Sequence, residues 1–203
     1  MSDAAPPRLA PALPEPEAAR ANFYALLARL FYAPPEARLL ESIASAATPE
    51  AEGGGIGPAW RDLARAAAAA RAEAVREEYE SVFVGTGKAP VTLYTSAYTI
   101  RHTSDAPLAE LRGELASLGL ARRREASEPE DHVAALFDTM RHLIATREAD
   151  LAEQKRFFER WIRPAIEPLC NAIARDPNTV FYRAVGSFAL SFCTVEHTAF
   201  EML

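Results

Sequence analysis

Residues 59–84 read AWRDLARAAAAARAEAVREEYESVFV, a stretch with neither glycine nor proline that contains the run Ala66–Ala70. Alanine has the highest intrinsic helix propensity of any residue, so the stretch predicts helix throughout. Trp60, Leu63, Ala67, Ala70 and Ala74, then Val75, Tyr79, Val82 and Phe83, supply the buried stripe that such a helix needs. Upstream, Gly53, Gly54, Gly55 and Gly57 followed by Pro58 mark a loop. Downstream, residues 85–93 are irregular. The fold class follows from the same period recurring elsewhere.

From Glu17 onward, Phe23, Leu26, Leu27, Leu30 and Phe31 share one helical face, and Pro34-Pro35 ends that segment. A shorter helix is expected over residues 36–46. Another runs from about Thr95 to Leu118, interrupted by Pro107. A helix beginning at Pro129 carries Val133, Leu136, Phe137, Met140, Leu143 and Ile144 on its core face. Residues 148–175 read as a helix bent near Pro164 and Pro168. Asp176-Pro177 resembles an N-cap and first-turn proline for a final helix that buries Phe181, Val185, Phe188, Phe192 and Val195. No two-residue alternation and no internal repeat stand out. The expectation is an all-α, single-domain helical bundle with a hinge between two helical halves. Its parts are a Pro-rich disordered tail over residues 1–17 and a helical domain over 18–203. That domain divides into an N-terminal half (18–118), a connector (119–128) and a C-terminal half (129–203).

The chain has 203 residues, 49% hydrophobic and 25% charged, with a net charge of −6. That length supports a core burying ~70% of the unfolded surface without disulfide or metal staples. The negative charge argues against general nucleic-acid binding. No run reaches the ~18 apolar residues of a membrane span, and residues 1–17 have no apolar signal core. Two cysteines, Cys170 and Cys193, read as reduced thiols of a cytoplasmic protein.

Catalytic signatures are missing: no phosphate loop, no nucleophile elbow, no Glu-x-x-His pair. Cys193 and His197 stand four apart on the last helix, two ligand types without an evident second pair. Arg122-Arg123-Arg124 reads as a solvated basic cluster. Tyr94 and Tyr98 beside the irregular loop suit a peptide-binding surface. Most informative is Ser127-Glu128-Pro129-Glu130-Asp131-His132. Ser127 and Glu130 fit a capping box, and acidic groups suit a helix N-terminus. The same three carboxylates form an anionic patch able to grip guanidinium groups.

Glu128-Pro129-Glu130-Asp131-His132 resembles the E-P-x-D-H signature of the TorD/DmsD/NarJ family of redox-enzyme maturation chaperones. Glu78, Tyr79, Phe83, Gly85, Pro90, Tyr94, Ser96 and Tyr98 resemble a second stretch of that family, in the correct order. The first helix, with Tyr24, Leu26, Leu27 and Phe31 before Pro34-Pro35, is similar too. Where family members often carry consecutive prolines before the loop tyrosine, this chain has Val91-Thr92-Leu93. The resemblance implies a cytoplasmic, non-enzymatic chaperone without a cofactor. It would bind the twin-arginine-type leader of a molybdoenzyme catalytic subunit and delay export until the molybdenum cofactor is inserted. It assigns Glu128, Pro129, Asp131 and His132 to the peptide's basic region. Tyr94, Ser96 and Tyr98 would form the groove, with Pro90 shaping the loop and Tyr24 nearby. The expected state is a monomer or a helix-swapped dimer. The competing readings are an adaptor that docks on a folded redox subunit without touching a leader, and a metal-binding helical protein built on Cys193 and His197.

Overall fold

A computed structural model of the chain describes residues 13–46, 55–85, 87–100, 106–121, 128–146 and 150–203. Arg122–Arg124, Ser127, Gly53, Gly54 and the tail up to residue 12 lie outside the described residues. The described residues are helical and contain no strand. None of their helices is long and apolar enough to cross a membrane.

The first helix, α1 (Glu15–Tyr32), begins inside the stretch expected to be tail. Pro14 precedes it and Pro16 lies in its first turn, where a missing N–H costs nothing. Next come α2 (Ala37–Ser45), α3 (Gly57–Ala69) and α4 (Ala72–Tyr79), which ends in a π-helical turn over Glu80–Val84. The helix expected across residues 59–84 is therefore interrupted. Ala70 and Arg71 are extended (ψ 146° and 130°), within the residues of highest helix propensity. The reason is the stripe. At 100° per residue, Val75 would lie about 80° round the axis from Ala67 on a continuous helix. Breaking the helix lets Trp60, Leu63 and Ala67 face the core in α3, and Val75 and Tyr79 in α4. Ala74 stays exposed.

After the loop come α5 (Ser96–Thr99), α6 (Pro107–Ser117), α7 (Val133–Thr146) and α8 (Leu151–Phe157). A second π-helical turn, Phe158–Ile162, joins α8 to α9 (Arg163–Arg175), and α10 (Phe181–Glu201) closes the bundle. Helix α1 packs along α7, while α3 and α9 pack against α10, so both halves of the chain contribute to one core. Its centre is aromatic. Phe23 meets Trp60, Phe188 and Phe192 at centroid distances of 5.5–5.6 Å, and Tyr24 meets Phe192 at 4.8 Å.

Polar groups pin this core at both ends of α1. Near its start, Glu196 is buried and accepts two bonds from Arg20 (2.8 Å each) and one from the Tyr24 hydroxyl (2.9 Å). At its end, the Tyr79 hydroxyl donates to the carbonyls of Phe31 and Tyr32, and that of Tyr182 to Leu30. These are last-turn carbonyls left without helical partners. Helix α10 starts at Phe181, not at Pro177, because its cap comes from another element. The Glu78 carboxylate on α4 accepts from the backbone N–H groups of Val180, Phe181 and Tyr182 at 2.9, 3.0 and 2.7 Å. Asp176 instead ends α9 and accepts from the Asn178 N–H at 2.9 Å. The Glu78-Tyr79 pair thus fastens α4 to the end of α1 and the start of α10.

Candidate functional site

The loop after Phe83 is turned by Gly85, whose φ of +64° and ψ of 172° favour a residue without Cβ. A Cβ there would stand 2.8 Å from the Lys88 carbonyl oxygen. The chain then runs extended, with Val91, Leu93 and Thr95 buried and Thr92 and Tyr94 turned outward. This is the two-residue alternation that the sequence reading did not pick out. Val-Thr-Leu-Tyr-Thr, rich in β-branched and aromatic residues, carried the signal, but it is too short to stand out. The Val91 N–H donates to the Val82 carbonyl at 3.0 Å, a bond that proline could not make.

This extended segment pairs with the acidic motif. The Thr95 N–H donates to the Asp131 carbonyl (2.9 Å) and the Val133 N–H to the Leu93 carbonyl (2.8 Å), forming a single antiparallel bridge between Tyr94 and His132. Paired residues at a bridge point to the same side and their chain neighbours to the other. Tyr94 and His132 share one side, their rings edge to face at 5.5 Å. Thr95 and Asp131 occupy the opposite side, where the Thr95 hydroxyl donates to the Asp131 carbonyl at 3.1 Å.

The acidic residues do not open helix α7. They occupy a turn ahead of it, closed by the His132 N–H on the Pro129 carbonyl at 3.2 Å. Pro129 lies in that turn, not at a first helical position, and the residue that caps α7 is His132. Its carbonyl accepts from Ala135 and Leu136, and its Nδ1 accepts from the Ala134 N–H at 3.2 Å. An accepting Nδ1 places the ring proton on Nε2. Burial holds the His132 pKa below its ordinary value, against the opposing charges of Glu128 and Asp131. The capping box expected from Ser127 falls on a residue outside those described.

Two clefts meet at this turn. One, of about 640 Å³, runs along the seam of α1 and α7 over Ala25, Ala28, Ala134 and Ala135, with Arg29, Asp138 and Arg141 on its rim. The second, of about 480 Å³, is lined by Tyr79, Phe83, Val84, Leu93 and Tyr94. Tyr32, Glu128 and His132 border both. Around the junction Tyr32 is 60% exposed, Val84 59% and Tyr94 37%, an apolar rim beside a carboxylate. The Tyr94 hydroxyl donates to Glu128 Oε2 at 2.5 Å, and that bond is the main cause pushing its pKa up to about 12. Glu130 pairs with Arg112 of α6 at 3.1 Å.

Asp131 faces away from this junction. It is 6% exposed and lines a third cavity of about 300 Å³ with Thr95, Ser96, Thr99, Arg160 and Trp161. Tyr98 is half-buried, its hydroxyl on the Thr92 carbonyl at 2.8 Å, so it braces the extended segment from behind. Pro90 is exposed at the start of that segment. Tyr24 is not brought to the site: it is fully buried and bonded to Glu196. The structure therefore joins Tyr94, Glu128, Pro129 and His132, sets Asp131 and Ser96 on the reverse side, and leaves Tyr24 in the core. Tyr32, Val84 and Glu78 were not picked out as site or cap residues. Tyr32 carried no signal of its own, being one apolar residue at the end of a helix.

Cys193 is buried, and desolvation raises its thiol well above the ordinary value. His197 turns instead to Glu159 at 2.7 Å. Ligand-type atoms of Glu159, His197 and Glu201 lie within 4.8 Å of one another, but Arg163 and Lys155 already neutralise the two carboxylates at 3.4 and 3.9 Å. Cys193 and His197 do not form the pair that the metal-binding reading required.

A family model described as nitrate reductase delta subunit matches residues 50–171. That span holds both the loop of Gly85–Tyr98 and the acidic turn of Glu128–His132. The chain is also 28% identical, over 134 residues, to the chaperone protein TorD of Photobacterium profundum. That match covers 59% of this chain and 60% of the relative's length.

Proposed function

The chain belongs to the nitrate reductase delta subunit family, the NarJ/TorD family of redox-enzyme maturation chaperones, and from that premise we propose that it is a cytoplasmic chaperone for the catalytic subunit of a molybdoenzyme. It binds the subunit's N-terminal leader and holds it until the molybdenum cofactor is in place. The observation that carries this reading is the meeting of the two clefts at Glu128, with an exposed apolar rim of Tyr32, Val84 and Tyr94. A leader with paired arginines ahead of an apolar segment presents the complementary chemistry: guanidinium for carboxylate, apolar side chains for the clefts. The protein's own side chains do no bond chemistry in this role. They bind, orient and shield.

Glu128 receives one basic side chain at the junction. Asp131, on the reverse side of the Tyr94–His132 bridge, receives a second in its own cavity. Ser96 borders that cavity, while Pro90 and Tyr98 hold the extended segment that separates the two sides.

Titration calorimetry of the full chain against a synthetic leader tests the reading, with a client subunit lacking its leader as the contrast. Glu128→Gln and Asp131→Asn keep shape and remove charge, and each should weaken binding about tenfold. The two losses should combine additively, since the carboxylates face different cavities. Undiminished leader binding by both variants would put the leader elsewhere on the chain, and equal binding of a client without its leader would replace leader recognition with adaptor docking.

A further inference from the structure

A hydrogen-bond donor is left unspent where the two clefts meet. His132 is 5% exposed and borders both clefts. Its Nδ1 is occupied by the Ala134 N–H, so the ring proton stands on Nε2, at the far edge of the ring. Among the described residues no oxygen or nitrogen accepts that proton. The Tyr94 ring, edge to face with it at 5.5 Å, offers a π-face and no lone pair. Among the described residues the polar atoms that are both sealed from solvent and unpartnered are Glu17 Oε2 and Trp60 Nε1. Nε2 of His132 is therefore open to solvent, and the clefts it borders supply the path. Burial keeps the imidazole neutral at pH 7, its pKa below the ordinary value.

A neutral imidazole with Nδ1 occupied has no lone pair to give a guanidinium; it can only donate. Glu128 beside it is the reverse, a carboxylate that only accepts. A peptide laid over the junction expels the solvent from Nε2–H, and the donor is then stranded unless the peptide brings an acceptor. An anionic acceptor would stand against Glu128, whose charge already acts on this ring, so the acceptor is a neutral one. Every residue of a peptide carries such a group in its main-chain carbonyl. We propose that His132 Nε2–H donates to a main-chain carbonyl of the leader, at the point where the leader passes from its arginines to its apolar segment. This rests on the leader-binding reading and deepens it. Glu128 takes a side chain, whereas His132 takes the main chain next to it and so sets the register of the apolar residues along the clefts. The family resemblance assigns His132 to the basic region of the peptide; the tautomer assigns it to the backbone beside that region.

A series of synthetic leaders tests it. Each has paired arginines and an apolar segment, and each member after the first replaces one backbone amide, from the arginines to the first apolar residues, by an ester. An ester carbonyl is a weaker acceptor than an amide carbonyl. Fluorescence anisotropy gives the affinity of every peptide for the wild-type chain and for His132→Asn, which keeps a short acceptor for the α7 cap but cannot put a donor where Nε2 stands. The all-amide leader should bind His132→Asn about three- to tenfold more weakly than wild type, the worth of one neutral hydrogen bond. At one position the ester should weaken wild-type binding about threefold and have no effect on His132→Asn, since both changes remove the same bond. The wild-type chain with isotope-labelled histidine gives a readout that needs no variant. By nuclear magnetic resonance, the Nε2–H proton of His132 should exchange with water more slowly once the leader is bound. A His132→Asn chain that binds the leader as tightly as wild type, or an Nε2–H proton that exchanges as fast with the leader as without it, overturns the main-chain contact and leaves leader binding in place. A wild-type chain that binds no member of the series overturns the leader reading, and the contact with it.

Discussion

Replacing Glu78 by glutamine tests whether a single carboxylate on α4 (Ala72–Tyr79) holds the start of α10 (Phe181–Glu201). In the wild type Oε1 accepts from Val180 and Tyr182, and Oε2 from Phe181. Glutamine keeps one carbonyl oxygen for the first two donors but turns an NH₂ toward the Phe181 N–H. One bond is lost, two lose their charge assistance, and the attraction of a carboxylate for the helix N-terminus goes as well. Bonds to charged groups contribute about 1.5–3 kcal/mol each, and water can reach part of this half-buried site, so a net loss of about 2 kcal/mol is expected. In a chain of this length that lowers the melting temperature by about 4–8 °C. Thermal denaturation followed by far-ultraviolet circular dichroism measures it, with the exposed neighbour Glu77→Gln as the control that should melt with the wild type. If Glu78→Gln also melts with the wild type, α10 does not depend on this cap, and the structural role given to the Glu78-Tyr79 pair is wrong.

Gly85→Ala forces a side chain into a backbone region kept for glycine and brings its Cβ against the Lys88 carbonyl. It should cost about 1–3 kcal/mol, read as a lower melting temperature, and an unchanged melt would contradict the loop geometry. His132 caps α7 as a neutral acceptor, with burial holding its pKa below the ordinary 6.5. As pH falls below about 6.5, the unfolded chain takes up a proton that the folded chain resists, so stability drops through that window and levels off once the folded imidazole is also protonated. Denaturation midpoints across pH should show this drop in wild type and lose it in His132→Asn, which keeps a short acceptor at the cap; equal slopes would remove His132 from the account. Tyr24→Phe deletes the bond to buried Glu196 and should cost about 1–2 kcal/mol while leaving leader affinity unchanged. Weaker leader binding by a stably folded Tyr24→Phe chain would restore Tyr24 to the groove.

The candidate site was half legible in the residues. Clustered carboxylates beside loop tyrosines pointed to one surface, and the bridge between Tyr94 and His132 does bring the two motifs together. Which way each side chain faces was not legible. Glu128 and Asp131 stand three apart, and on the helix expected from Pro129 they would share a face. In the turn before a bridge they face opposite sides, because pairing with Leu93 and Thr95 imposes a two-residue alternation there.

The same division runs through the fold. Helical faces repeat every few residues, and their cause, burial of one stripe, acts within the segment itself. Leu27, Leu30 and Phe31 in α1, and the whole stripe from Val133 to Ile144 in α7, were therefore readable without a partner. Elsewhere the choice depends on groups far away along the chain. Val195 and Glu196 both fall near the apolar face of α10, and hydrophobicity favours Val195. Glu196 is buried instead, because Arg20 and Tyr24 wait for a carboxylate there, while Val195 stays 41% exposed. The alanine run breaks at Ala70 and Arg71, since the stripes that α3 and α4 turn to the one core would fall on different sides of a continuous helix, and packing outweighs an intrinsic preference of a few tenths of a kcal/mol per residue. Local periodicity determines that a segment is a helix and which face it hides; where the helix starts, stops and finds its cap is decided by what the rest of the chain brings within hydrogen-bonding reach.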